Sequence, residues 1–145
     1  MTQNEDNPII TLIGSLVAPF IMLFGLYVIF HGHYSPGGGF QGGTLLAASI
    51  ILLRLALGSE LGKKQFHSRL GTPLGSLGVL IYFGTGLAAL LLGGTFLNYA
   101  FLPFTPQASH NRYWGILSIE IGVGLAVMAV LVAIYDDLLE GESHA

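Results

Sequence analysis

The sequence predicts an all-α integral membrane protein with four transmembrane helices and both termini in the cytoplasm. Three observations carry that reading. Of 145 residues, 52% are hydrophobic and 9% charged, with a mean hydropathy of +0.71, where a water-soluble domain carries about 25% charged residues. The apolar residues gather into four runs, each near the roughly 20 residues that a bilayer crossing requires. The charged residues gather between the runs and at the ends, with two exceptions discussed below.

The first run, residues 9–30, is uncharged and contains Pro19. Neighbouring helices in a membrane can satisfy the carbonyl that a proline frees, and a kink is the expected result. The preceding MTQNEDNP is acidic and lacks the positive n-region of a secretory signal, so this run reads as a retained span. The second run, 40–57, carries Arg54 near its end, from where its head is expected to snorkel to the headgroups. The third, 72–97, opens with Thr72-Pro73, which reads as an N-cap followed by proline at the first helical position. Its length requires tilt. The fourth, 113–135, holds Glu120. All 145 residues read as one membrane domain without internal repeats.

Arg54, Lys63, Lys64 and Arg69 surround the loop between spans two and three, while the opposite side has Arg112. The positive-inside rule therefore places that loop and both termini in the cytoplasm. Tyr27, Phe30 and Tyr34, then Tyr99, Phe101, Phe104, Tyr113 and Trp114, supply the aromatic residues of the outer boundary. The segment Asn98 to Arg112, with Pro103 and Pro106, is a proline-broken loop whose apolar content suggests that it lies on another surface. The acidic tail of Asp136, Asp137, Glu140 and Glu142 reads as solvated. His67, His110 and His144 read as loop or tail histidines.

Several chemistries are excluded or disfavoured. With no cysteine there is no disulfide, thiolate metal site or iron–sulfur cluster. Five basic residues and a net charge of -3 offer no stripe for nucleic acid. The text HGHYSPGGGFQGGT, residues 31–44, contains G-x-G-x-x-G at Gly37, Gly39 and Gly42. A nucleotide site needs a strand before the glycines and an acid about 20 positions after them. Here an apolar span precedes them, and Arg54 is the next charged residue. Gly43 stands where a P-loop places lysine. No nucleotide and no cofactor is expected, and no nucleophile–base pair can be placed in a shared pocket.

His31 and His33 could hold a metal only with one or two further ligands, and no acid or thiol lies near them in sequence. The simpler reading has both imidazoles hydrogen-bonded at the headgroup boundary. The glycines read as backbone chemistry. Ser35-Pro36 fixes a turn, Gly37, Gly38 and Gly39 admit positive φ, and Phe40 is a wedge at the junction. Gly38 with Gly42, and Gly39 with Gly43, repeat at the four-residue spacing that lets helices approach closely.

Glu120 lies about 10 Å into the fourth span at 1.5 Å per residue. An acid at helix centre costs about 2.5–3.5 kcal/mol to insert, so it is paired, protonated or beside water. It reads either as an ion relay or as a contact to a partner's basic group. Gly115, Ser118, Gly122, Ala126, Ala129 and Ala133 form a small-residue stripe on nearly the opposite side of that helix. If the stripe packs on this chain's own helices, Glu120 is expected to point away from the bundle and to be covered by another chain.

With one apolar span before it and another after it, HGHYSPGGGFQGGT resembles the B subunit of Mrp-type (multiple resistance and pH) monovalent cation/proton antiporters, and the four-span layout matches along essentially the whole chain. The resemblance implies a complex of several different subunits in a bacterial or archaeal plasma membrane, exchanging cytoplasmic Na⁺ for external H⁺. Other antiporter subunits and membrane lipid would be its partners, and this chain would support assembly and contribute to the cation path. Pro36, Gly37, Gly38, Gly39, Phe40 and His33 are the motif positions it marks as important. Two other readings stand beside it: a self-sufficient homo-oligomeric channel or transporter, and a structural subunit of another energy-converting membrane complex.

Overall fold

The computed structural model describes residues 7–34, 37–58 and 67–143, with Ser68 and residues 140–143 described by their backbone. Ser35, Pro36, Lys63, Lys64 and His144, and the side chains of Glu140 and Glu142, lie outside the described residues. Among the described residues, four helices are long and apolar enough to cross a membrane: α1 (Pro8–His31), α2 (Gly39–Leu57), α3 (Gly71–Leu91) and α4 (Ala108–Ser143).

Helix α1 begins where Asn7 caps it, its side chain accepting from the Ile9 amide at 3.1 Å, with Pro8 at the first turn. Pro19 lies inside it. Helix α3 differs from expectation at both ends. It is entered through a 3₁₀ turn, Ser68–Leu70, so Leu70 and not Thr72 stands at the N-cap, and Pro73 falls within the first turn. Proline is tolerated there because that amide has no intrahelical partner to lose.

Helix α3 also stops at Leu91, well short of Leu97. Gly93 adopts φ 91°, and the Gly93 and Gly94 amides donate back to the carbonyls of Leu90 (3.2 Å) and Ala89 (3.0 Å). This is a Schellman close, which a glycine just past the helix permits. Gly93→Ala is expected to lower stability by about 1 kcal/mol, because a Cβ disfavours the left-handed region. A lowered unfolding midpoint of the purified chain in detergent would register it.

The outer segment folds onto the ends of α3 and α4. A 3₁₀ turn at Tyr99–Phe101 is followed by buried Leu102. Asn111 accepts from the Thr105 amide at 2.7 Å and so draws residues 105–111 together. Helix α4 therefore starts at Ala108, five residues before the expected Tyr113, and it continues beyond Tyr135 to Ser143.

The helices form a row in the order α1, α2, α4, α3. Helices α1 and α2 are antiparallel, as the contacts Gly14–Ala56 and Gly25–Gly42 show. Helices α2 and α4 run parallel, through Gly39–Glu120, Gly43–Gly124 and Arg54–Asp136. Helix α3 returns antiparallel to α4, through Gly78–Gly122 and Gly75–Ala129. Each of the three interfaces thus contains at least one glycine-to-glycine contact. A Cβ added at Gly42 would lie 2.7 Å from the Gly25 carbonyl oxygen, at Gly43 2.6 Å from that of Gly124, and at Gly122 2.8 Å from that of Gly78. Between helices in lipid, such close backbone approach replaces the hydrophobic driving force available in water.

The core lies along α1, α2 and α4 and is formed by Ile29, Leu46, Ala47, Ile50, Met128 and Val132. Because the helices form a row, large apolar side chains cover both flanks and the outside of α1, among them Leu12, Leu16, Phe20 and Leu23. Such surface is suited to lipid or to other chains.

Candidate functional site

Helix α4 is the middle element for both its neighbours, and that decides where Glu120 points. The small-residue stripe faces α3 as expected: Gly122 and Ala126 meet Gly78, and Ala129 meets Gly75. The opposite side of α4 faces α2. Glu120 accordingly points inward, against the glycine-rich turn of its own chain, and the expectation that another chain must cover it is corrected. The reasoning allowed α4 one packed face, whereas the row gives it two.

Three glycines pack against Glu120, two of them against its carboxylate. A Cβ at Gly32 would stand 2.8 Å from Glu120 Cδ, and one at Gly38 would stand 3.6 Å from Oε1. A Cβ at Gly39 would meet the Glu120 backbone, 3.0 Å from its Cα. Gly38 is the N-cap of α2 at φ 141° and ψ -170°, a region essentially restricted to glycine. It supplies no side-chain cap to α2. The first amides of α2 have no intrahelical acceptors, so the carboxylate faces the positive end of that helix.

His33 completes the cluster. It directly follows Gly32, which stands against the Glu120 carboxyl, and it forms no ion pair with Glu120. Its ring packs on Tyr34 (centroids 4.1 Å apart) and edge-on against Tyr113 (4.6 Å, 90°). Both ring nitrogens of His33 and Oε2 of Glu120 are buried and have no hydrogen-bond partner among the described residues. His31, by contrast, turns back on its own helix, stacking on Tyr27 with Nδ1 3.2 Å from the Tyr27 carbonyl oxygen. The two histidines therefore do not converge, and no group of three metal-ligating side chains exists among the described residues.

The remaining motif positions divide by role. Gly37 lies against Val28, Gly42 seats α2 on α1, and Gly43 seats α2 on α4. Phe40 is not a wedge: it is 65% exposed and turns outward. Gly39 occupies the junction where a bulky side chain was expected. Pro36 lies outside the described residues.

A second polar point was missed. Arg54 and Asp136 form an ion pair across α2 and α4, with side chains 1% and 6% exposed. Arg54 does not snorkel, and Asp136 belongs to a helix rather than to a solvated tail. The available signal was that Arg54 is the sole basic residue within a span and lies at the level where span four gives way to acids. Gly32, which walls Glu120, carried no distinguishing signal among 21 glycines.

Four such helices, broad apolar flanks and a half-buried acid between two of them define a multi-pass membrane protein. The family model described as a domain related to the MnhB subunit of Na⁺/H⁺ antiporter matches residues 9–133. The chain belongs to that family, as its resemblance to Mrp-type B subunits implied. A Na⁺/H⁺ antiporter B subunit of Bacillus subtilis is 29% identical over 141 residues, covering 97% of this chain and 98% of that one. An uncharacterized protein of Methanocaldococcus jannaschii is 36% identical over 132 residues, covering 88% of this chain. This chain spans 50% of that protein's length. Among solved structures, a chain of the membrane-bound sulfane sulfur reductase, an archaeal respiratory membrane complex, superposes with a TM-score of 0.73 at 29% identity. The match covers 96% of this chain and 60% of that one.

Proposed function

We propose that this chain is a non-autonomous small subunit of a multi-subunit monovalent cation/proton antiporter in a bacterial or archaeal plasma membrane. Its exchange runs cytoplasmic Na⁺ against external H⁺, and its partners are the other antiporter subunits. The four helices act as one membrane domain, with the basic α2–α3 side in the cytoplasm by the positive-inside rule. The chain supports assembly through its apolar flanks and contributes Glu120 and His33 to the ion path.

One observation carries the non-autonomous reading. The two polar points, Glu120 beside Gly39 and the Arg54–Asp136 pair, lie at opposite ends of the α2–α4 interface, about 22 Å apart at 1.5 Å per residue. Between them stand Leu46, Ala47, Ile50, Met128 and Val132, and the buried Ser49 hydroxyl there is spent on the Leu46 carbonyl. An ion crossing that stretch without polar partners meets a barrier of several kcal/mol. The rest of a route therefore belongs to other chains.

The test is Na⁺-induced pH change in inverted vesicles from an antiporter-deficient host. Three strains would express this chain alone, the full neighbouring gene set, or that set lacking this chain. Exchange is expected in the full set alone. Exchange by this chain alone would favour a homo-oligomeric transporter and overturn the proposal. Undiminished exchange in the set lacking this chain would overturn it as well.

A further inference from the structure

The donor set around Glu120 identifies which of the two exchanged ions the site can handle. We propose that Glu120 and His33 form a proton-exchanging pair, bridged by water, and that the alkali cation does not bind there. This rests on the subunit reading above and deepens it.

At this site, three buried atoms have no hydrogen-bond partner among the described residues: one carboxylate oxygen, Glu120 Oε2, and the two nitrogens of His33. Hard cations take several oxygen ligands at once, and imidazole nitrogen suits softer transition metals. One carboxylate and an imidazole make a poor alkali-cation site. With two ligands and no third nearby among the described residues, they make no transition-metal site either. Carboxylate and imidazole are, however, the commonest partners in proton transfer. Gly32, the neighbour of His33, stands against the Glu120 carboxyl, and the His33 ring packs on Tyr113 of the helix that carries Glu120. The two groups form no ion pair, so a water between them would have hydrogen-bonding groups on either side.

The transfer is balanced without any further reactant. An N–H bond of the His33 imidazolium breaks, an O–H bond forms on Glu120, and water relays the proton between them. The ionisable groups facing this pair are Tyr113 on α4 and Tyr34 in the turn, both against the His33 ring. His31 faces Tyr27 instead. The glycines provide the room. A methyl group at Gly32 would lie 2.6 Å from the Gly38 Cα and 2.8 Å from Glu120 Cδ, filling the crevice without removing a titratable group.

The test uses the full gene set with Glu120→Gln, His33→Gln and Gly32→Ala, after co-purification has verified that each variant chain is in the complex. Exchange rate is expected to fall by roughly 100-fold in each, in the range that a positioned acid or base contributes. The Na⁺ concentration giving half-maximal rate is expected to stay unchanged. In His33→Gln the pH profile of the residual exchange is expected to shift. A tenfold rise in that Na⁺ concentration at unchanged maximal rate would overturn the assignment by making Glu120 a cation ligand. Wild-type rates in assembled Glu120→Gln complexes would overturn it too.

Should a variant fail to assemble, infrared difference spectra of the wild-type complex on acidification supply a second readout. A protonated-carboxyl band that moves when His33 is replaced supports the pair, and a band indifferent to His33 overturns it. Failure of the subunit reading is seen separately, as undiminished exchange when this chain is absent.

Discussion

Asp136→Ala is expected to destabilise the folded chain by about 3–5 kcal/mol, the usual result of removing one partner from a buried ion pair. Arg54 is 2% exposed, and its guanidinium donates to Oδ1 of Asp136. Without the carboxylate the guanidinium would lose the opposite charge that offsets its burial between α2 and α4. The double variant Arg54→Met with Asp136→Leu is the informative control. It removes both charges at similar volume, and such replacements are often neutral or stabilising. Thermal unfolding in detergent should rank the wild type and the double variant together, with Asp136→Ala and Arg54→Met far below. If all three variants fell equally, the pair would matter for packing rather than for charge.

Gly39→Ala comes second, with an expected loss of about 3 kcal/mol, the upper end of the usual overpacking cost. The added methyl would strike the backbone of Glu120, and backbone cannot rotate aside as a side chain can. Helices α2 and α4 would have to part, and Glu120 would lose the wall that seals it. Gly84→Ala is the matching control. It sits on α3 with nothing within 4 Å of an added Cβ, so helix propensity predicts a neutral or slightly stabilising change. Equal losses at the two positions would show that general helix effects, and not the close approach, explain the glycine.

Much of the fold was legible along the chain because lipid imposes a local requirement. Each span must be apolar over about 20 residues and must satisfy its own backbone, and both properties can be read without knowing any neighbour. The beginnings of α1 and α2 were found within one residue for this reason. The C-terminal end of α3 was not, although Gly93-Gly94 held the stop signal, because apolar residues continue past it to Leu97. The glycine spacing of α2 likewise announced close packing at Gly39, Gly42 and Gly43 before any partner was known.

The linear order of residues was therefore enough to establish the class of protein and the four long apolar helices, and it marked Glu120 and the glycine-rich turn as candidates. What each of them touches came from the packing of the helices. Helical periodicity assigns Glu120 and the small-residue stripe to opposite faces of α4, but it cannot say that both faces are covered. Only the order of the row does that, placing α2 on one side and α3 on the other. The same order joins Arg54 to Asp136, 82 residues apart, a pairing for which the sequence offers only a matching level, because it depends on which helices become neighbours.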